Sequence, residues 1–174
     1  NIDPSALENK ILIYRKNGKK INTVIATDYA GHPCDWAELR AIADKYQVQL
    51  INDNCHAMGS EYMNDRGYAT KYADAVTHSY HPVKHITTGE GGAILCNKEE
   101  IYRRARLLRT HGTEQRRQVK QSTIEEPWRY DMVDLGFNYR ITDFQCALGL
   151  SQLKRLDNIV IERNKLLHLY RNYL

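Results

Sequence analysis

Short apolar runs alternate along this chain with segments whose apolar residues recur at helical spacing. The strand-like runs occupy residues 21–28, 48–53, 73–78 and 93–96, and β-branched residues are frequent in them. Between the first two runs, one helical face is apolar: Trp36, Leu39, Ile42, Ala43 and Tyr46. A strand, a helix and a strand in this order predict a βαβ unit with parallel strands. The pattern therefore predicts an α/β fold, a three-layer α/β/α arrangement in which helices flank a largely parallel sheet.

Capping-box patterns predict where three of the helices begin. The pairs are Asp35 with Glu38, Asn97 with Glu100, and Thr142 with Gln145. The last pair opens a helical region expected to run through Leu174. Residues 1–10 are expected to form a loop and a short helical piece, 11–14 a strand, 54–70 irregular structure and 111–130 a mobile loop.

Composition narrows the class of protein without choosing a function. The chain has 174 residues, of which 42% are hydrophobic and 26% charged, so we expect one globular domain or part of one. The net charge of +4 is mild, and the arginines at 103–106 alternate with apolar residues as in an amphipathic helix, which argues against nucleic-acid binding. No apolar run reaches the roughly 18 residues of a membrane helix. Because the chain begins without Met and stops inside a helical pattern, we expect a fragment of a larger protein.

Cysteine and histidine spacing argues against disulfide and metal sites. The four cysteines are far apart and include no Cys-x-x-Cys pair, which is typical of reduced thiols in a cytosolic protein. The seven histidines show no metal-ligand spacing.

Lys84 is the first candidate for chemistry. It lies between a strand-like run and a glycine cluster at residues 89–92. On a turn between two buried strands, desolvation would disfavour its ammonium form and free the amine for Schiff-base chemistry. A surface lysine in a polar turn is an equally open reading of the same stretch.

Asp53 is the second candidate, because it ends the apolar run 48–53. Ligands of parallel sheets bind at the carboxyl ends of strands. Asp53 could instead cap the following turn. Together, however, a carboxylate at a strand end and a lysine turn later in the same sheet match the needs of a pyridoxal phosphate (PLP) site. The lysine holds the cofactor, and the carboxylate keeps the pyridine nitrogen protonated.

Three ordered blocks carry a family resemblance. They are residues 50–59 (LINDNCHAMG), 79–92 (SYHPVKHITTGEGG) and 135–150 (LGFNYRITDFQCALGL). Together they resemble the DegT/StrS family of sugar aminotransferases, which are PLP enzymes of the aspartate-aminotransferase fold. The resemblance covers nearly the whole chain. It implies that residues 1–174 are the central part of the PLP-binding large domain of a fold type I transferase, without the N-terminal phosphate loop and the C-terminal small domain.

The resemblance also implies roles for individual residues. Lys84 would bind the cofactor covalently and then move protons as general acid and base. Three further residues would contact the cofactor: Asp53 at the pyridine nitrogen, His56 at the ring or its phenolic oxygen, and Ser79 at the phosphate. Asn138 would reach the phosphate of a neighbouring subunit, because family sites are built at a dimer interface. His81 and Arg140 are candidate substrate-binding residues.

Plainer roles for four of these residues remain open. His56 could be a structural histidine, Ser79 a strand-end hydroxyl, Asn138 a turn former and Arg140 a loop anchor.

The resemblance further implies a reaction. Relatives that remove a sugar hydroxyl carry histidine at the lysine's position, so Lys84 favours transamination. Residues 30–33, 79–92 and 126–128 most resemble family members of pseudaminic acid biosynthesis. Those enzymes use L-glutamate to aminate the C4 ketone of a UDP-linked 4-keto-6-deoxy-N-acetylhexosamine. A cytoplasmic homodimer is implied as well.

Two other classes of function stay open. One is a non-catalytic, truncated or partner-dependent module of the same fold that binds a nucleotide sugar or another subunit. The other is a nucleotide-binding domain that uses residues 88–92 for phosphate, although this tract lacks the Walker lysine spacing.

Overall fold

The computed structural model describes residues 1–115 and 130–173, which divide into two units. The first unit is Asn1–Asn97 with Thr142–Leu174, and the second is Lys98–Ile141. The first contains α1 (Pro4–Lys16), β1 (Thr23–Thr27), α2 (Trp36–Tyr46), β2 (Gln49–Asp53), α3 (Tyr68–Tyr72), β3 (Ala75–Ser79) and β4 (Gly92–Leu95). The second contains α4 (Glu99–Leu108), β5 (Thr113–Gln115) and β6 (Tyr130–Met132). The chain then returns to the first unit with α5 (Asp143–Leu153) and α6 (Leu156–Tyr173).

The main sheet has the order β1-β2-β3-β4, with the first three strands parallel and β4 antiparallel to β3. This confirms the α/β class, the largely parallel sheet and the βαβ unit formed by β1, α2 and β2. The register aligns Thr27 with Asp53 and Asp53 with Thr77. Asp53 therefore ends β2, the middle one of the three parallel strands.

The core packs helices against one face of this sheet. Alternate residues of β1 and β2, such as Val24 and Leu50, join buried side chains of α1, α2 and α3, among them Ile11, Trp36 and Tyr68. Burying an apolar side chain of this size contributes about 1.5–3 kcal/mol.

A buried carboxylate links the elements of this core. Asp28 follows β1 and is fully buried. Its Oδ1 accepts hydrogen bonds from the Cys34 amide at 2.8 Å and the Trp36 indole at 2.9 Å. Its Oδ2 accepts from the side-chain amides of Asn52 at 3.1 Å and Asn54 at 2.9 Å, and from the Tyr68 hydroxyl at 2.6 Å. Five donors thus replace the water that this carboxylate gives up on burial.

Several predicted elements differ in the structure. Residues 11–14 belong to helix α1 and not to a strand. Asp3 caps this helix by accepting from the Ala6 amide at 2.7 Å, Pro4 opens it, and Ile11 packs into the core. Strand β4 is exposed rather than buried, with Ile94 55% exposed, because it lies at the end of the sheet order. The long C-terminal helix is divided between Leu153 and Leu156.

The capping boxes had mixed outcomes. The box of Thr142 and Gln145 is confirmed, with both reciprocal bonds present. The other two boxes do not form. Asp35 is the N-cap residue of α2, so the predicted start of this helix is confirmed, but its side chain makes no capping bond. The N-cap residue of α4 is Lys98 and not Asn97. Asp35 accepts from the Tyr62 hydroxyl at 2.9 Å, and the Asn97 amide donates to the Thr70 carbonyl at 3.0 Å.

The second unit consists of α4 and a short hairpin. Strands β5 and β6 pair antiparallel, so the ends of the expected mobile loop 111–130 are ordered as strands. Residues 116–129, which include most of that loop and the block 126–128, lie outside the described residues. Gly112 has φ +67°, and a side chain there would collide with the backbone of Asp134, so the position requires glycine.

Removing the Asp28 carboxylate should destabilise the fold strongly. In Asp28→Ala, buried donors lose their acceptor at about 1–3 kcal/mol each, so we expect a loss of about 4 kcal/mol after partial relaxation. The matched control is Asp44→Ala, which removes an exposed carboxylate paired with Arg40 and should cost under about 1 kcal/mol. Urea unfolding of both variants measures the difference; equal losses would show that the network contributes nothing special.

Candidate functional site

Asp53 ends the central strand of the parallel ladder and is half-buried. Its Oδ1 accepts a hydrogen bond from the Cys55 amide at 3.1 Å, so it also makes the turn bond that the plainer reading expects. The sequence on either side fixes its direction. Asn52 and Asn54 both reach Asp28, on the buried side, and successive strand side chains point to opposite faces. The Asp53 carboxylate is therefore presented away from the core.

Lys84 lies on the connection between β3 and β4, as the sequence predicts, and its side chain is half-buried. Backbone bonds close the base of this loop around Tyr80. The Tyr80 amide donates to the Gly91 carbonyl at 2.9 Å. The Tyr80 carbonyl accepts from the Thr88 amide at 3.0 Å and from the Thr87 hydroxyl at 2.9 Å. Residues 81–86 thus form a loop whose base is closed by hydrogen bonds, and this loop carries Lys84 at the carboxyl end of β3.

Two glycines, Gly89 and Gly91, allow the backbone to close the base of this loop. Gly89 has φ +81° and Gly91 has φ +152°, which L side chains rarely adopt. Thr88 is buried, its amide bonds Tyr80, and its hydroxyl donates to the Glu90 carbonyl at 2.7 Å. Because these groups bind within the loop, its geometry favours close backbone packing over a phosphate cradle.

The pKa of the Cys55 thiol is affected by both candidate residues, Asp53 and Lys84. Its pKa is raised to about 11, first by burial and then by a hydrogen bond to Asp53 and the negative charge of Asp53. The ammonium of Lys84 acts on the same thiol in the opposite direction. Asp53 ends β2 and Lys84 follows the neighbouring strand β3, so the topology carries both residues at the carboxyl end of the parallel strands.

His56 lies beside this pair. Its ring meets the Tyr29 ring edge-on at 5.5 Å between centroids, and its Nδ1 accepts from the Ala30 amide at 3.4 Å. These contacts fit a structural histidine and also leave the ring at the strand-end loop where the sequence places it.

His85, which sequence reasoning missed, joins the same group. In the described part of the chain its Nδ1 is buried and has no hydrogen-bond partner. Burial lowers the pKa of His85, and the positive charges of Arg163, His56 and Lys84 lower it further. These neighbours make the surroundings of Lys84 electropositive, which favours an anionic group. Its position next to Lys84 was the only sequence signal.

Ser79 and His81 follow at the end of β3. Ser79 pairs with Gly92 across the sheet, and its hydroxyl accepts from the His81 amide at 3.4 Å. The exposed His81 ring accepts from the Val83 amide at 3.3 Å. Both residues thus lie on the first arm of the Lys84 loop, and the structure assigns neither of them a ligand.

Asn138 and Arg140 belong to the second unit. Asn138 forms an isolated β-bridge with Thr110, and both Asn138 and Arg140 are exposed. Next to these residues, the rings of Phe137 and Tyr139 stack with 4.8 Å between their centroids and an angle of 9° between their planes. The cofactor and substrate roles predicted for Asn138 and Arg140 stay predictions.

Metal and disulfide chemistry find no support in the described residues. Across 1–115 and 130–173, no three His, Cys, Asp or Glu side chains group in a way that could hold a metal ion. The cysteines Cys34, Cys55, Cys96 and Cys146 are all free thiols. Within the same ranges, none of the helices is long and apolar enough to cross a lipid bilayer.

Comparison with known proteins identifies the family of this chain. Residues 1–174 match the DegT/DnrJ/EryC1/StrS aminotransferase family over their whole length. The chain belongs to this family.

Individual relatives agree with that assignment. A UDP-4-amino-4,6-dideoxy-N-acetyl-beta-L-altrosamine transaminase of Campylobacter jejuni is 38% identical over 170 residues, which cover 98% of this chain and 42% of that protein. The solved structure of Helicobacter pylori PseC, an aminotransferase involved in the biosynthesis of pseudoaminic acid, has a TM-score of 0.76 and 32% identity, and the match covers 90% of this chain and 38% of that one. The putative sugar aminotransferase Spr1654 of Streptococcus pneumoniae, in its PMP form, has a TM-score of 0.82 and 26% identity, over 98% and 46% of the two chains.

The chain therefore spans less than half the length of each of these relatives. Spr1654 is also known in a PLP form, to which this chain is similar with a TM-score of 0.81. These similarities confirm the predicted family and fold.

The shared field around Cys55 gives a test that needs no cofactor. Asp53 raises the pKa of this thiol, so Asp53→Asn should lower it, increase the thiolate fraction near pH 9 and speed alkylation. Lys84→Met should slow alkylation, because it removes the opposing positive charge. Iodoacetamide labelling at several pH values, read by peptide mass spectrometry, measures both shifts.

Cys34 is the internal control for this test. Its pKa is raised to about 12 by burial and by Asp28, so its labelling should not respond to either substitution. If Cys55 reacts at the wild-type rate in both variants, Asp53 and Lys84 do not share one electrostatic environment.

Proposed function

We propose that this chain is the core of a PLP-dependent aminotransferase of nucleotide-sugar biosynthesis. The reaction transfers the amino group of L-glutamate to the C4 ketone of a UDP-linked 4-keto-6-deoxy-N-acetylhexosamine, as in pseudaminic acid biosynthesis. One observation carries the proposal: Asp53 ends β2 and Lys84 follows the neighbouring parallel strand β3, so a carboxylate and a lysine lie at one carboxyl edge of the sheet. Family membership and the names of the relatives support the choice of substrate.

The chemistry of the donor set fits PLP. The cofactor combines an aldehyde, a basic ring nitrogen and a phosphate, and the site offers an amine, a carboxylate and electropositive surroundings. Lys84 would hold the aldehyde carbon, Asp53 the ring nitrogen, and Ser79 the phosphate, with His56 against the ring. When bound, PLP supplies an electron sink for the carbon that carries the amino group.

Lys84 performs the proton transfers in this proposal. Its Nζ takes a proton from the amino-bearing carbon of the donor and returns one when the acceptor sugar is aminated. The closed base of its loop at Tyr80 restricts where this nitrogen can reach.

Two neighbouring groups set the charge at this site. The Asp53 carboxylate would lie at the ring nitrogen of the bound cofactor, where it would favour the protonated ring. The lowered pKa of His85 leaves its imidazole neutral at pH 7, so His85 adds no second cation beside the amine.

The proposal extends to the assembly. We infer that residues 1–174 form the central part of a PLP-binding large domain in a cytoplasmic homodimer. Asn138 would contact the cofactor phosphate of the other subunit, and Arg140 with His81 would bind substrate anions or hydroxyls. The exposed pair of Phe137 and Tyr139, 52% and 71% exposed, supports a contact at this part of the second unit.

Lys84 should be the lysine that PLP labels. Protein mixed with PLP should turn yellow, and borohydride should leave a stable phosphopyridoxyl group at Lys84, found by peptide mapping. Lys84→Ala should lose both signals. Lys71→Ala is the matched control, since it removes an exposed lysine of α3 and should change neither.

Further outcomes of this experiment separate the rival functions. Labelling spread equally over Lys71 and Lys84 would contradict a special role for Lys84. A Lys84 adduct whose colour glutamate does not bleach would favour a non-catalytic module. Retention of ATP without any adduct would favour a nucleotide-binding domain.

Asp53→Asn should separate cofactor attachment from turnover. Labelling at Lys84 should persist, because the amine is unchanged. The half-reaction with glutamate should slow by about 10²–10³-fold, since a neutral amide does not hold the ring nitrogen protonated. Stopped-flow absorbance measures the rate, with Asp44→Asn on the exposed face of α2 as the control. A near-normal rate in Asp53→Asn would remove this residue from the mechanism.

A further inference from the structure

One face of α5 contacts residues 87–90, which are the second arm of the loop that carries Lys84. Gln145, Gly149 and Gln152 are spaced at i, i+4 and i+7, so they lie on the same side of the helix. The Gln145 side-chain amide donates to the Glu90 carbonyl at 2.9 Å. The Thr87 amide donates to Oε1 of Gln152 at 3.4 Å. The helix thus holds residues 87–90 through two side-chain amides.

Gly149 lets the helix come this close. A Cβ at this position would lie 2.8 Å from Cγ2 of Thr88, which real contacts do not allow. Thr88 is buried and β-branched, and both its amide and its hydroxyl are bonded, so it has little freedom to move aside. The contact between α5 and the loop is therefore close enough that only glycine fits at position 149.

Gln145 joins this contact to the start of the helix. Its Oε1 accepts from the Thr142 amide at 2.9 Å, which completes the capping box. Its Nε2 makes the bond to Glu90. The position of the first turn of α5 and the position of the loop are consequently fixed by one side chain.

We propose that the face of α5 formed by Gln145, Gly149 and Gln152 positions Lys84 for its reaction with the cofactor. Lys84 lies on a loop whose first arm continues from β3. Its second arm, residues 87–90, is held by α5. If the second arm loosens, the Lys84 amine spends less time where the aldehyde can meet it. This inference rests on the proposed function, in which Lys84 is the cofactor-binding amine.

Gln145→Glu separates the two jobs of this side chain. Glutamate still accepts from Thr142 and suits the first turn of a helix, so the cap should be kept. It has no Nε2–H to donate, and its charge repels the Glu90 carbonyl. Gly149→Ala is the second variant, since it inserts the forbidden Cβ. Ser151→Ala, at an exposed position of the same helix, is the control.

Two measurements on the full chain read the effect. The first is the rate of PLP labelling at Lys84 relative to Lys71 in the same digest, across pH. The second is hydrogen exchange of the peptide covering residues 80–91, which needs no cofactor. For Gln145→Glu and Gly149→Ala we expect Lys84 labelling to fall by about tenfold and loop exchange to rise by about tenfold. Ser151→Ala should match wild type, and the unfolding temperature of Gln145→Glu should stay at the wild-type value or above.

The results that overturn the proposal are distinct from a failure of the proposed function. Wild-type labelling and wild-type loop exchange in Gln145→Glu would show that α5 does not position the loop. Uniformly faster exchange throughout the first unit, with a lower unfolding temperature, would show a merely structural role. Absence of selective Lys84 labelling in the wild type would contradict the cofactor assignment, and loop exchange alone would then decide whether α5 holds residues 87–90.

Discussion

The buried carboxylate of Asp28 is the constraint on which the first unit depends. A charge of this kind is tolerated in a protein interior only when hydrogen bonds replace its water. Here five donors do so, and they come from the start of α2, the end of β2 and the start of α3. Satisfying one carboxylate therefore requires all these elements to take their observed places at the carboxyl ends of β1 and β2.

This constraint reaches the candidate site through two residues. Asn52 and Asn54 flank Asp53 and donate to the same oxygen of Asp28. The backbone on both sides of Asp53 is thereby fixed from the core side, and the alternation of a strand leaves Asp53 on the other side. A carboxylate held in this way needs little reorganisation when a ligand arrives, which is what electrostatic stabilisation of a reacting group demands.

Much of this arrangement could be predicted from the sequence, because it follows from local rules. Apolar runs located β1 to β3, the βαβ rule made them parallel, and Asp53 at the end of β2 and Lys84 after β3 then had to share one edge. Local rules failed where a short run was ambiguous. Residues 11–14 fit a strand or a helix by pattern alone, and the cap at Asp3 decided for the helix.

Other features depended on partners far away in the chain, which no local pattern reveals. Asp35 and Asn97 have the right spacing to cap helices, yet tertiary contacts with Tyr62 and Thr70 take their side chains. The bond from Tyr68 to Asp28 spans 40 residues, and the bond from Gln145 to Glu90 spans 55. The i, i+4, i+7 spacing of Gln145, Gly149 and Gln152 puts them on one helix face, but nothing in the sequence indicates which residues that face contacts.

The two candidate groups are consequently held by different means, and the difference suits their proposed tasks. Asp53 is part of a strand and inherits the rigidity of the core, as a fixed charge should. Lys84 stands on a loop that is closed at Tyr80 and held along one arm by α5, so its backbone is restrained while its long side chain keeps its rotatable bonds. An amine that takes a proton at one atom and returns it at another needs that remaining freedom. A site with both groups on strands would lose the transfer, and one with both on free loops would lose the alignment.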